Sequence, residues 1–99
     1  MDKKPIQIFQ IEDIRNCDYA FRSYEEAKQG GFSPSDYIEV YNGFVGANDS
    51  LDDIFMMFNI YHPQGFKGHS LSVSDIISVP DGTYYVDDIG FSRISLFDF

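Results

Sequence analysis

The sequence predicts an α+β fold: an antiparallel sheet of about four or five strands with two short helices packed on it. Three observations indicate this class. Several short segments alternate between apolar and polar residues, which is the period of a strand. Two segments begin with a serine followed three positions later by an acidic residue, as helix N-termini do. Pro80-Asp81-Gly82 separates two apolar runs, as a hairpin turn does. With 99 residues, the chain is expected to form one domain spanning 1–99.

The first third of the chain predicts a strand and a helix. Ile6–Ile11 is the first strand, because it follows Pro5 and is rich in apolar residues, namely Ile6, Ile8, Phe9 and Ile11. Asp18–Arg22 also alternates polar and apolar residues and is a candidate for a short strand. Ser23 then caps a short helix, in which Glu26 is expected to reach back to the Ser23 amide. A pair of glycines ends this helix.

A longer strand, Tyr37–Phe44, is predicted after a turn at residues 33–35. Strict alternation places Ile38 and Val40 on one face. The other face would hold Tyr37, Glu39 and Tyr41. Within this segment, Asn42-Gly43 is either a hairpin turn or a bulge at the strand end.

The clearest helix of the sequence begins after Ser50, which is expected to form a capping box with Asp53. One face of this helix is an apolar stripe at helical spacing, which predicts burial against the sheet. Its members are Leu51, Ile54, Phe55 and Phe58. Met56 and Met57 lie off the stripe and are interpreted as peripheral core.

The last third predicts a hairpin whose strands are Asp75–Val79 and Thr83–Asp87. Gly90-Phe91 interrupts the second of these strands. The apolar tail Leu96–Phe99 is expected to dock on the core, because exposure of its three large apolar side chains would be costly.

The charge of the chain is strongly negative, −9, from sixteen acidic and seven basic side chains. Residues 12–53 hold ten of the acids and only three of the bases. A field of this sign repels phosphate backbones and anionic lipid, which argues against direct nucleic-acid or membrane binding. It attracts basic surfaces, and nucleic-acid-binding grooves are the commonest large ones. The alternative, that the acidity only keeps the domain soluble, stays open.

The sequence indicates a cytoplasmic protein. Cys17 is the only cysteine, so an internal disulfide framework is not expected. The first residues lack the pattern of a signal peptide. No apolar run approaches the roughly 18 residues that a membrane span requires.

The residues that metal sites use are poorly spaced for one. His62 and His69 are separated by a glycine-containing loop, and Cys17 is distant from both. A Mg²⁺ site built from Asp75 and Asp87 across the last hairpin is geometrically conceivable. The favoured interpretation is that each of these carboxylates caps a turn. We therefore predict no metal and no other cofactor.

Catalytic patterns are also weak. His69, Ser70 and Asp75 supply the residue types of a hydrolytic triad, but their proximity in sequence does not imply triad geometry. The sequence contains neither a nucleophile elbow nor a glycine-rich phosphate loop. We therefore predict that the protein is not an enzyme.

Three segments of the second half carry a resemblance to a known family. They are Gly68-His69-Ser70-Leu71-Ser72-Val73-Ser74-Asp75, Tyr84-Tyr85-Val86-Asp87 and Gly90-Phe91. With these segments the sequence resembles the YodL-like domain, most closely over residues 50–94. The resemblance implies an association with phages and conjugative elements of Gram-positive bacteria, often in large proteins that counter host defences. It implies no catalytic residues. The motif positions expected to be structural are His69, Ser72, Asp75, Tyr85, Asp87 and Phe91.

Charge and resemblance together favour an anti-defence protein that binds and inhibits a host nuclease, in the manner of an anti-CRISPR protein. By DNA mimicry, its carboxylates would face the basic groove of an effector. The candidate carboxylates are Glu25, Glu26, Asp36, Glu39, Asp49, Asp52 and Asp53. Inhibition through an apolar surface that alters the effector's conformation is a second possibility.

Two other functions stay open. One is a non-enzymatic regulatory or scaffolding module of a conjugative element. The other, the least favoured, is a small hydrolase or nuclease that uses His69, Asp75 and Asp87.

Overall fold

The computed structural model describes residues 2–61 and 63–95. Over these residues, five strands and two helices follow one another along the chain. The elements are β1 (Lys3–Ile11), α1 (Tyr24–Gln29), β2 (Tyr37–Gly46), α2 (Leu51–Ile60), β3 (Ile76–Val79), β4 (Gly82–Val86) and β5 (Phe91–Ile94). Short 3₁₀ turns lie at Ile14–Asn16 and Pro34–Asp36. The predicted α+β class is confirmed.

The sheet has the strand order β2-β1-β3-β4-β5. Every pair of neighbouring strands in it is antiparallel. Strands β1 and β4 therefore end at the same end of the sheet at which β2, β3 and β5 begin. Polar residues that flank these strand ends are brought together by the topology, although they are far apart in the sequence.

Each helix covers one face of the sheet. Because side chains alternate along a strand, Ile76 and Ile77 point to opposite faces. Ile77 belongs to a buried cluster with Phe58 of α2. Ile76 belongs to a second cluster with Ala27 of α1 and with Tyr85.

Both predicted helix caps are present. The Ser50 hydroxyl accepts from the Asp53 amide at 3.1 Å, and the Asp53 carboxylate accepts from the Ser50 amide at 2.9 Å. In α1, the Ser23 hydroxyl accepts from the Glu26 amide at 3.2 Å. Glu26 differs from the prediction, because its carboxylate accepts from the Ser23 hydroxyl instead of the Ser23 amide.

Residues 18–21 form a turn, so the strand predicted for Asp18–Arg22 is wrong. Phe21 has a φ of +64°, which is incompatible with an extended strand. Its amide donates to the Ser74 hydroxyl at 3.0 Å. A contact more than fifty residues away in sequence thus sets the conformation of this segment.

The alternation predicted for β2 is also wrong. The register between β1 and β2 shifts opposite Ile8 and Phe9, which pair with Tyr41 and Glu39 and leave Val40 as an extra residue. A bulge of this kind exchanges the faces of the strand. Tyr37 and Val40 are accordingly both buried, whereas Ile38 is exposed. Asn42-Gly43 is neither a turn nor a strand end, because it pairs with β1 inside the sheet.

The predicted hairpin across Pro80-Asp81-Gly82 is confirmed as β3 and β4. The apolar stripe of α2 also packs as expected, with Ile54 and Phe58 fully buried. Met56 is a correction, because it is 61% exposed and does not belong to the core periphery. The tail Leu96–Phe99, expected to dock on the core, lies outside the described residues.

Candidate functional site

The segment 68–75 is held against β1 by a buried glutamine. The Gln10 side chain is 2% exposed, and its Nε2 donates to the carbonyl of His69 at 2.9 Å and to Asp75 Oδ2 at 3.0 Å. Its Oε1 accepts from the His69 amide at 3.2 Å. A Cβ atom at Gly68 would lie 2.0 Å from this Oε1, so the close approach requires glycine.

Asp75 is a buried carboxylate that forms no ion pair with any other residue that the structure describes. It is 2% exposed, and its Oδ2 accepts from the Ser72 amide at 2.8 Å as well as from Gln10. Burial raises its pKa to about 7, against the opposing effect of the Ser72 hydrogen bond and the nearby His69. His69 itself is exposed, and its Nδ1 donates to the carbonyl of Ser70 at 2.7 Å.

Asp87, which follows β4, is bonded to a different set of groups. Its Oδ1 accepts from the Tyr24 amide at 3.1 Å and the Asp88 amide at 2.9 Å, and its Oδ2 accepts from the Ser92 hydroxyl. Partial burial opposes ionisation, but hydrogen bonds led by that from Ser92 hold the pKa of Asp87 below its ordinary value. Tyr85 also contacts the segment that precedes α1, and its hydroxyl donates to the carbonyl of Arg22 at 2.7 Å.

The contacts of Asp75 and Asp87 give these two carboxylates separate surroundings. Asp75 is bonded to β1 and to its own loop, whereas Asp87 is bonded to the start of α1 and to β5. The structure does not bring them, with His69, to a common point. Within residues 2–61 and 63–95, no group of three His, Cys, Asp or Glu side chains is arranged to hold a metal ion. His62 lies outside these ranges.

The seven candidate carboxylates do not form one surface. Glu25 and Glu26 lie on α1, over one face of the sheet, where they pair with Lys28 at 3.3 Å and Arg22 at 3.5 Å. Glu39 accepts from the Gln7 side chain at 2.8 Å in the sheet.

Three further candidates, Asp49, Asp52 and Asp53, lie around the start of α2. Asp49 accepts from the Gly46 amide at 2.8 Å. Asp53 serves the helix cap, and its hydrogen bonds with Ser50 lower its pKa. Asp52 is exposed. These residues are separated from Glu25 and Glu26 because the two helices cover opposite faces of the sheet.

A different set of acids surrounds a cleft of about 370 Å³ beside the end of β1. Glu12, Asp13, Asp18 and Asp36 line it, together with Cys17 and Tyr19. Asp36 accepts from the Tyr19 hydroxyl at 2.6 Å, and its backbone carbonyl accepts from the Glu12 amide at 2.9 Å. Only Asp36 belongs to the set that the sequence predicted.

The cleft lies at the end of the sheet where β1 and β4 finish, and Asp87 and Asp88 follow β4 there. We call this group the acidic end of the sheet: Glu12, Asp13, Asp18, Asp36, Asp87 and Asp88. Across the described ranges, the two ion pairs found involve Glu25 and Glu26, and neither involves the acidic end. The sequence signal for it was the run of acids directly after β1, but the placement of Asp36 and Asp87 at the same end of the sheet depends on strand order.

Among the residues that the structure describes, no helix is long and apolar enough to cross a membrane. Searches of curated proteins and of solved structures find no match to this chain. The family model of the YodL-like domain matches residues 5–97, so this chain belongs to the YodL-like domain family.

Proposed function

We propose that this protein is a non-catalytic binding protein whose acidic end docks on a basic protein surface. The observation that carries the proposal is the placement of six carboxylates at one end of the sheet, four of them around one cleft, without an ion-pair partner within residues 2–61 and 63–95. Like charges held together in this way repel one another. A partner that supplies arginine or lysine relieves that repulsion.

The partner we propose is the nucleic-acid-binding groove of a host defence nuclease. Such grooves present rows of Arg and Lys at phosphate spacing, which carboxylates can engage in place of phosphates. Complementary charge also accelerates encounter and selects against acidic partners. The mobile-element association implied by the YodL-like resemblance supports a role against host defence, as in an anti-CRISPR protein.

A plasmid-challenge assay tests this function in a bacterial host that carries a defined DNA-targeting nuclease. The variant Glu12→Lys/Asp18→Lys changes two exposed side chains that line the cleft. Its matched control, Asp2→Lys/Asp81→Lys, makes the same change of net charge at the opposite end of the sheet. The wild type and the control are expected to protect the plasmid, whereas the cleft variant is expected to lose protection.

Competition with DNA separates inhibition from other roles. The purified nuclease is titrated with the protein in the presence of labelled duplex DNA, and DNA release is measured. Release by the wild type and control, but not by the cleft variant, supports the proposal. Equal protection by all three proteins would contradict the acidic end as the docking surface. Absence of protection across a panel of defence systems would favour the regulatory or scaffolding function.

A further inference from the structure

A second, smaller pocket lies between α2 and the turn from β4 to β5, with a volume of about 230 Å³. Its apolar lining comes from Phe55, Val73, Val86 and Phe91. The Phe55 and Phe91 rings meet edge to face, with centroids 6.3 Å apart and planes at 71°. Because both phenylalanines are only partly buried, the pocket presents aromatic surface to solvent.

Two exposed carboxylates stand at the pocket, Asp52 from α2 and Asp88 from the β4–β5 turn. Asp88 Oδ1 accepts from the Ile89 amide at 2.9 Å. The third carboxylate, Asp87, is committed to the fold through its bonds to Tyr24 and Ser92. Asp52 and Asp88 are therefore the two groups at this pocket suited to meet a cation from outside.

We propose that this pocket binds an arginine side chain of the basic partner, an inference that rests on the proposed function. The aliphatic stem would lie on the valines and the guanidinium plane against the phenylalanine rings. Its N–H groups would donate to Asp52 and Asp88. The pocket is smaller than the roughly 300 Å³ at which small-molecule sites begin, so a single side chain fits it better than a metabolite.

The turn beside the pocket supports a macromolecular occupant. Ile89, next to Asp88, is 89% exposed, and an isoleucine in that position gains little stability from the fold. A partner surface that inserts an arginine would also cover Ile89. The pocket and the cleft lie at the same end of the sheet.

Amide chemical shifts of the ¹⁵N-labelled chain test the pocket directly, with N-acetyl-arginine amide as the probe. Shifts are expected at residues 52–55 and 86–91. The citrulline analogue, which lacks the charge, is expected to produce none there. Asp52→Asn/Asp88→Asn should weaken the arginine response at least about fivefold, because both charge-assisted bonds become neutral. Asp2→Asn/Asp81→Asn is the matched control and should respond as the wild type does.

A second variant, Phe55→Leu, keeps an apolar side chain in the pocket but removes one aromatic ring. It should weaken the response to arginine more than the response to lysine amide, because the planar guanidinium uses the ring face. Equal responses to arginine and citrulline, or an unchanged response in Asp52→Asn/Asp88→Asn, would overturn the inference. If arginine shifts only the amides around the 370 Å³ cleft, this pocket is excluded while the proposed function stands. If a nona-arginine peptide shifts neither region, both fail.

Discussion

A single buried carboxylate, Asp75, connects the family motif to the stability of the fold. Its side chain is bonded to Gln10 of β1 and to the Ser72 amide, so it fixes the loop that leads into β3. Burial raises its pKa to about 7, well above the value of an aspartate in an unfolded chain. The same group therefore orders the loop and makes its order depend on proton binding.

The raised pKa predicts that folding stability falls as pH rises from about 4 to about 7. In this window the folded state keeps the Asp75 proton while the unfolded state has released it, so a rise in pH favours unfolding. Asp53 and Asp87, whose pKa values are lowered, are ionised in both states above about pH 5 and have the opposite effect only at lower pH. Above about pH 7 the contribution of Asp75 levels off.

Urea unfolding of the wild type and Asp75→Asn at several pH values measures this contribution. Between about pH 5 and pH 8, the wild type should lose on the order of 2 kcal/mol relative to the variant. Asp81→Asn, at an exposed aspartate of the β3–β4 turn, is the control and should track the wild type. Parallel pH profiles for the wild type and Asp75→Asn would contradict the assignment.

At the scale of elements, α2 is the part of the fold most directly specified by local sequence. Ser50 and Asp53 exchange hydrogen bonds across the first turn, and the side chains of Ile54 and Phe58 are buried on one face of the helix. These features depend on residues at most eight positions apart. Ser50→Ala should lower the free energy of unfolding by about 1 kcal/mol, because the Asp53 amide loses its acceptor.

Ser50→Asp is the matched variant, since aspartate is also a good N-cap and its charge suits the helix N-terminus. In urea denaturation, the free energy of unfolding of this variant should be close to that of the wild type and clearly higher than that of Ser50→Ala. A Ser50→Asp protein as unstable as Ser50→Ala would mean that the cap contributes little and that α2 is held by its buried face alone.

The features that the sequence predicted depend on residues close together in the chain, whereas the features that it missed depend on residues far apart. Helix caps and the Pro80–Gly82 turn were predictable because their partners are neighbours in the chain. The bulge at Val40 was not, since it depends on how β2 pairs with β1. Phe21 has a positive φ, and its amide donates to Ser74, which is 53 residues away in the sequence. The alternation of residues 18–22 carries no information about that contact, so the strand predicted there is wrong.

The arrangement of the candidate carboxylates depends on the range of the interactions in the same way. The acids on α1 and around α2 were conspicuous in the sequence, but the structure pairs, caps or separates most of them. The acidic end draws its members from the segment after β1, the turn before β2 and the residues after β4, and only the strand order places these at one end of the sheet. Charge counted along the chain indicates a preference for basic partners but does not show which acids lie together.

At the scale of the whole molecule, repulsion among the carboxylates of the acidic end should destabilise the free protein, and binding to a basic partner should relieve that repulsion. Its carboxylates lack an ion-pair partner among the described residues and add to a net charge of −9. Added NaCl screens such repulsion, so stability should rise as salt increases from about 50 to 200 mM. Binding to a basic partner should weaken over the same range, because salt screens that attraction as well.

The two charge variants used to test function should therefore differ in stability as well. Glu12→Lys/Asp18→Lys places cations among the remaining carboxylates of the acidic end and should stabilise the fold by a few tenths of a kcal/mol. Asp2→Lys/Asp81→Lys makes the same change of net charge but lies away from that cluster, so its gain should be smaller. Urea midpoints at low salt measure both, and the difference between them should vanish in about 1 M NaCl.

A cleft variant that loses binding while gaining stability would show that these acids are kept for a partner and not for the fold. If the cleft variant is instead less stable than the control at low salt, the acids serve the structure and the docking proposal loses its physical basis.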